Sequence, residues 1–266
     1  MVPDPATFRV LPWAEKTGWL LCDIYFPNGK TIPFSTRQIM KDALADLADD
    51  GYDLMTGLEV EFHVFKLEDA KLKPENAGQP ADPPEVSLIA HGFQYLTEQR
   101  MDEQEAVWEI LRHNLKDLNL PLRTFETEFG PSQFEISFGV SRGLESADNM
   151  MLFRSAVKQI CRRHGYHATF MCRPNLPNIF SSGWHLHQSI IDRKTGINMF
   201  VSDGEDRVLS AFGEHYAAGI LDHARAASIF TTPTINGYKR YQPYTLAPDR
   251  GVWGQDNKGA MLRAVG

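Results

Sequence analysis

Three stretches of this 266-residue chain each put acids or histidines in a row of polar residues two apart, a spacing that predicts an extended strand with those groups on one face. They are Gly57-Leu58-Glu59-Val60-Glu61-Phe62-His63, the run from Glu128 to Ser137, and Gly183-Trp184-His185-Leu186-His187-Gln188-Ser189. On the first, Glu59, Glu61 and His63 share a face, opposite Leu58, Val60 and Phe62. On the others, Gln133, Glu135 and Ser137 share a face, as do His185, His187 and Ser189. Carboxylates gathered on one face repel unless a cation sits among them. Three such strands in one chain point to a walled site for hard divalent metal ions.

The surrounding pattern predicts α+β architecture. A strand spans 19–26 and ends at Pro27-Asn28-Gly29. Ser35 caps a helix over roughly 36–50, with Ile39, Met40, Ala43, Leu44 and Leu47 as its apolar stripe and Gly51 as its stop. Prolines make 68–86 a loop. Residues 101–118 form a helix on Val107, Ile110, Leu111, Leu115 and Leu118. Strands fill 123–140. A helix over 145–164 turns Met150, Met151, Phe153, Val157 and Ile160 inward. After the 183–191 strand, Thr195-Gly196 marks a hairpin, another helix runs near 206–227, and the tail from 231 is loop-rich. The regular βαβ beat of a doubly wound sheet is absent.

Charge and cysteine usage narrow the function. A formal charge of −7 disfavours a nucleic-acid partner held by bulk positive charge. Cys22, Cys161 and Cys172 are too few and too irregular for a disulfide framework or a cysteine zinc site, which favours a cytoplasmic setting. No apolar run approaches bilayer length, so no membrane partner is expected. There is no Gly-x-x-x-x-Gly-Lys-Ser/Thr loop and no Gly-x-Ser-x-Gly elbow.

Each motif alone has a plain alternative. Glu59-x-Glu61 also describes a solvated strand edge, and His185-x-His187 a satisfied core pair. Gly130-Pro131 makes a bland hairpin, which leaves Glu128, Gln133 and Glu135 unaccounted for. Sites rich in acids and poor in histidine suit Mg²⁺ or Mn²⁺ better than zinc or copper. Asn236-Gly237-Tyr238-Lys239-Arg240 and Asn257-Lys258-Gly259-Ala260-Met261-Leu262-Arg263 supply cations suited to carboxylate or phosphate, or else solvated loop residues. Residue types alone also admit a metal-dependent phosphatase or hydrolase.

In this order, the five segments resemble the glutamine synthetase family. Gly57 to Phe62 is similar to its Gly-x-Glu-x-Glu-Phe strand, Glu128 to Glu135 to its Glu-x-x-Pro-Gly-Gln-x-Glu, and Ser182 to Ser189 to its Ser-Gly-Met-His-x-His-x-Ser. Asn236 to Arg240 resembles Asn-Ser-Tyr-Lys-Arg, and Asn257 to Arg263 resembles Asn-Arg-Ser-Ala-x-x-Arg. The resemblance implies an antiparallel curved sheet carrying two or more Mg²⁺ or Mn²⁺, with ATP as co-substrate. It implies Glu61, Glu128 and Glu135 at one metal, Glu59 and His185 at the other, and His187, Ser189, Lys258 and Arg263 around the nucleotide. Gly183, Ser181 and Arg240 would border the substrate, with Arg240, Arg263 and Glu61 taking catalytic parts. His63 has no assigned role.

The implied activity is ATP-dependent, ADP-forming joining of the γ-carboxylate of glutamate, or a related acid, to ammonia or an amine through an acyl-phosphate. The alternative is a non-catalytic or regulatory relative that binds nucleotide or amino acid. Four departures stand out. Phe180-Ser181 replaces the family's Asn-Gly, Leu246 stands where a flap Glu is usual, and Lys258 replaces an Arg. The first two favour a bulkier or less polar amine, or an acid other than glutamate. The fourth is extent. Residues 1–34 read as the remnant of an N-terminal β-grasp domain, 35–266 as a C-terminally incomplete catalytic domain. The family completes each site with a neighbouring subunit in a ring, so a homo-oligomer is expected of the full-length chain.

Overall fold

The computed structural model describes residues 1–202, 204 and 207–265. The N-terminal strand expected over 19–26 is broken into shorter pieces. β1 (Val2–Pro3) pairs antiparallel with β4 (Cys22–Asp23), and β2 (Arg9–Val10) pairs with β3 (Gly18–Trp19), while the turn at Pro27-Asn28-Gly29 forms as expected. These ribbons pair among themselves and dock on the rest of the chain. Leu11 is buried in the main core, and the Arg9 Nε donates to the Leu118 carbonyl at 3.1 Å.

Helix α1 (Thr36–Asp49) ends at Gly51, which adopts φ +90°, a conformation that favours glycine. Its expected stripe is only half realised: Met40, Leu44 and Leu47 are partly covered, whereas Ile39 and Ala43 are exposed. Ion pairs attach it instead. Arg37 reaches Asp4 at 2.6 Å, Asp23 at 2.5 Å and Asp148 at 2.8 Å, and Lys41 reaches Asp23 at 2.5 Å.

The long strand β5 (Tyr52–Asp69) is the spine of a seven-stranded sheet. Its neighbours are β6 (Glu85–Ser87), β8 (Gln133–Phe138), β9 (Ser141–Arg142), β10 (Tyr166–Thr169) and β11 (Trp184–Asp192), all antiparallel to it; β7 (Leu122–Thr127) pairs on the outer edge of β8. The sheet curls into an antiparallel half-barrel. Helix α2 (Glu98–Leu115) starts earlier than expected because the Thr97 hydroxyl accepts from the Arg100 N–H at 3.3 Å. Helix α3 (Glu145–Arg163) lies where the periodicity placed it, but Met151 points to solvent.

The even-numbered face of β5 makes the core. Val60, Phe62 and Val64 pack with Phe134 and Ile136 of β8, Trp108, Leu111 and Leu115 of α2, and Phe153, Val157 and Ile160 of α3. Trp108 meets Phe134 edge-on at 4.7 Å, and Phe62 meets Phe153 at 6.0 Å. Truncating one of these aromatics to Ala would cost about 3–5 kcal/mol. Burying this face fixes the register, and so turns every odd residue of β5 the other way.

The helix expected near 206–227 is two: α4 (Ala211–Asp222), capped by Ser210, and α5 (Ala224–Thr231), separated at His223. Residue 206, the expected start, lies outside the described residues. The loop-rich tail holds a short helix α6 (Ile235–Tyr238) and two strands that pair with each other, β12 (Arg250–Gln255) and β13 (Ala260–Ala264).

Candidate active site

Register alone assembles the polar face. Across β8, β5 and β11, Glu135 lies opposite Glu61, and Ser137 opposite Glu59, which in turn lies opposite His185. His187 lies beside Gly57 and Ser189 beside Met55. At 3.4 Å per residue, Ser189 sits roughly 14 Å along the strand from His185. The expected face thus forms a ladder running from the acids toward the far end of β11.

The acids converge. Carboxylate oxygens of Glu61, Glu128 and Glu135 all lie within 4.8 Å of one another. Glu128 sits just after β7, its carboxylate accepting from the Phe129 N–H. Burial, then the negative charge of Glu61, raises the Glu128 carboxyl above the ordinary range. Burial, then Glu61 and Glu128, pushes Glu135 up to about 8. A cluster so averse to its own charge matches an all-oxygen seat for a hard divalent cation, which would relieve the repulsion.

Glu61 is held in place rather than free. Its Oε2 accepts from the Gly183 N–H at 2.7 Å and from the Gln133 side-chain amide at 3.2 Å, and the His185 Nε2 lies 3.3 Å from its Oε1. His187 pairs with Glu59 at 3.1 Å. That hydrogen bond lowers the Glu59 carboxyl against its partial burial and raises the His187 imidazole. Glu59 and His185 therefore face each other across the ladder but bond to other partners, and among the described residues no third donor joins them.

The cations approach from the tail. A Cβ on Gly183 would stand 2.6 Å from the Cζ of Arg240, so the guanidinium lies directly against the glycine backbone. Arg263 on β13 is near enough for its charge to act on Glu59 and His187, and Lys258, exposed between β12 and β13, acts on Glu128. Ser181 is buried, and its Oγ accepts from Arg173 at 3.0 Å. Leu246, in the loop after Arg240, is exposed with φ +56°.

Several residues named in the sequence motifs have positioning roles that sequence reasoning did not assign. The Gln133 amide nitrogen also donates to the Ser182 Oγ at 3.0 Å and the Ser181 carbonyl at 3.3 Å, while its Oε1 accepts from the Gly130 N–H at 2.9 Å. Its place between two acids was the available signal. Asn236 grips the Arg173 backbone from both sides, its Oδ1 accepting from the N–H at 3.0 Å and its Nδ2 donating to the carbonyl at 2.8 Å. This ties α6, and with it Arg240, to the 172–183 segment. His63, opposite Gln133 in the sheet, is fully buried, with its Nδ1 3.3 Å from the Ser182 Oγ. Burial, then the charge of Arg173, depresses its imidazole to about 3, so it stays neutral and structural.

A sequence model described as the catalytic domain of glutamine synthetase matches residues 33–266. Gamma-glutamylanilide synthase of Acinetobacter sp is 50% identical over 271 residues, covering 100% of this chain and 54% of the relative. Glutamine synthetase of Methanosarcina mazei is 33% identical, covering 98% of this chain and 56% of the relative. A solved structure described as a GmaS/ADP complex superposes with a TM-score of 0.82 at 27% identity, over 98% of this chain and 59% of that one. The chain spans about half the length of the curated relatives it matches.

Proposed function

Because the chain belongs to the glutamine synthetase family, we propose that the protein containing it is an ATP-dependent, ADP-forming ligase joining the γ-carboxylate of glutamate, or a related acid, to ammonia or an amine. The convergence of Glu61, Glu128 and Glu135 within 4.8 Å carries this reading. The names of the two curated relatives differ in the product, a γ-glutamylanilide against glutamine.

In this reading Glu61, Glu128 and Glu135 would hold one Mg²⁺ or Mn²⁺, and Glu59 with His185 would contribute to a second. Bound there, such ions supply Lewis acidity toward phosphoryl oxygens. Arg240, seated against Gly183, offsets the charge of the substrate carboxylate and of the acyl-phosphate. Arg263 stabilises the phosphoryl group in transit, while His187, Ser189 and Lys258 line the nucleotide side. Ser181 and Gly183 border the amino acid. Gln133 keeps Glu61 aimed, the kind of outer support that fixes a ligand's orientation.

The bond changes balance in two steps. A γ-carboxylate oxygen attacks the terminal phosphorus of ATP and ADP leaves. The amine nitrogen then attacks the acyl carbon, the carbon–oxygen bond to phosphate breaks with its electron pair, and the nitrogen gives up a proton to water.

Residues 1–34, whose ribbons pair among themselves while Leu11 docks on the main core, are assigned in this reading to a β-grasp domain. The family resemblance supports a homo-oligomer, and exposed Ile229, Phe230 and Ile235 on α5 and α6 offer apolar surface for it. Three free cysteines suit a cytoplasmic setting, and no helix among the described residues is long and apolar enough to cross a membrane.

The test is ADP and phosphate release by the full-length protein with Mn²⁺, glutamate and an acceptor, with the amide product identified by mass spectrometry. Nucleotide binding without ADP formation under any acceptor would instead indicate a non-catalytic relative.

A further inference from the structure

Three phenylalanines stand apart from the main core and beside the acids. Phe129 and Phe180 meet edge to face at 5.1 Å, Phe93 lies 5.4 Å from Phe129 and 6.5 Å from Phe180, and Phe93 is 49% exposed. Each belongs to an element of the site. Phe129 follows Glu128 and donates its N–H to that carboxylate. Phe180 leads into Ser181, Ser182 and Gly183, the segment that fixes Glu61. Phe93 lies two residues before Tyr95, whose hydroxyl is raised by burial and by the charges of Glu128 and Glu135.

The cluster is built, not incidental. The buried Arg100 donates to the carbonyls of His91 and Gly92 at 2.8 and 2.7 Å, and the Gln94 N–H to the Phe129 carbonyl at 3.2 Å, which pins the loop carrying Phe93. Gly130 leaves the space that Phe180 uses, since a Cβ there would stand 2.6 Å from the Phe180 Cβ.

Phenyl faces attract an ammonium ion, but ammonia has no apolar surface to bury against a wall of three rings, so most of this wall would go unused. It suits an acceptor with two ends, a nitrogen that attacks the acyl carbon and a flat apolar ring that packs on the phenylalanines. An arylamine also arrives neutral at pH 7, with its lone pair already free to attack the acyl carbon. Resting on the ligase reading above, we propose that Phe93, Phe129 and Phe180 wall the acceptor subsite and select primary amines bearing an aromatic ring over ammonia.

The test is competition between aniline and ammonia in one reaction with the full-length protein, glutamate, ATP and Mn²⁺, reading the anilide-to-glutamine product ratio by mass spectrometry. The ratio of kcat/KM values does not depend on how much of a variant is correctly folded. The parent is expected to favour aniline, and Phe129→Ala and Phe180→Ala each to lower the ratio by about tenfold or more, with Phe129→Leu lowering it less. A parent that favours ammonia, or a ratio within about twofold of the parent in both alanine variants, overturns the proposal. Release of ADP with ammonia but not aniline refutes the subsite alone. Absence of ADP with every acceptor refutes the ligase reading and the subsite with it.

Discussion

Gly183→Ala separates function from folding at the centre of the site. The added methyl would lie 2.6 Å from both Cζ and Nη2 of Arg240 and 3.0 Å from its Nε. Ordinary carbon contacts begin near 3.4 Å, so the guanidinium must retreat by nearly 1 Å. Because the colliding atoms are the far end of a flexible side chain, the fold can yield cheaply. The backbone bonds survive too: the residue's N–H still donates to Glu61, and its carbonyl still accepts from the Glu61 N–H. The stability change should stay within about 0.5 kcal/mol. A displacement of about 1 Å at a group that neutralises developing charge costs on the order of 100-fold in rate, about 2.7 kcal/mol of transition-state stabilisation. Thermal melts and coupled ADP release in the full-length protein measure the two effects on one sample. A variant with the parent's melting temperature and a rate within about threefold of the parent's would refute the placement of Arg240 as a working group.

Two further perturbations probe the charges. In the absence of divalent cation, Glu135 in the folded protein binds a proton that the unfolded chain releases between pH 4.5 and about 8, so its contribution to stability falls as pH rises through that window. Glu135→Gln should therefore stabilise the metal-free protein at pH 8, by at most about 5 kcal/mol, and erase most of the stabilisation that Mn²⁺ gives the parent; melts with and without Mn²⁺ read both, and an unchanged Mn²⁺ response would count against the carboxylate seat. Arg37→Met leaves Asp4, Asp23 and Asp148 facing one another, with an expected loss of roughly 2–3 kcal/mol near neutral pH. The Arg37 hydrogen bond holds Asp4 below the ordinary carboxyl range, and at Asp23 the bonds from Lys41 and Arg37 outweigh burial in the same direction. Their contribution is present above pH 3.8 and lost as pH falls below it, so urea midpoints of parent and variant should converge in acid.

The parts legible in the sequence were those that a simple period encodes. Alternation in β5, β8 and β11 declares both faces at once, which is why Val60, Phe62, Phe134 and Ile136 meet in the core and Glu61 meets Glu135 opposite it. Helical periodicity was less informative. It marks an apolar side but not whether anything covers it, and so Ile39, Ala43 and Met151 lie exposed. The Arg37 cluster draws on residues at 4, 23, 37 and 148, a grouping that no local pattern contains. The fit of Arg240 against Gly183 is of the same kind, as is the gathering of Phe93, Phe129 and Phe180.

The histidines show where the sequence stops, even on a well-read strand. Register sets His185 opposite Glu59 and His187 opposite Gly57, yet His185 bonds Glu61 and His187 bonds Glu59. Both side chains reach the diagonal neighbour, and both lean the same way along β5. A shared lean is what strand twist produces, since it carries one diagonal of each pair closer than the other. Glu61 cannot swing to meet an opposite partner because Gly183 and Gln133 hold its second oxygen. A period of two decides which side chains share a face. Which of them touch depends on twist and on prior commitments, and those commitments come from residues more than 70 positions away in the chain.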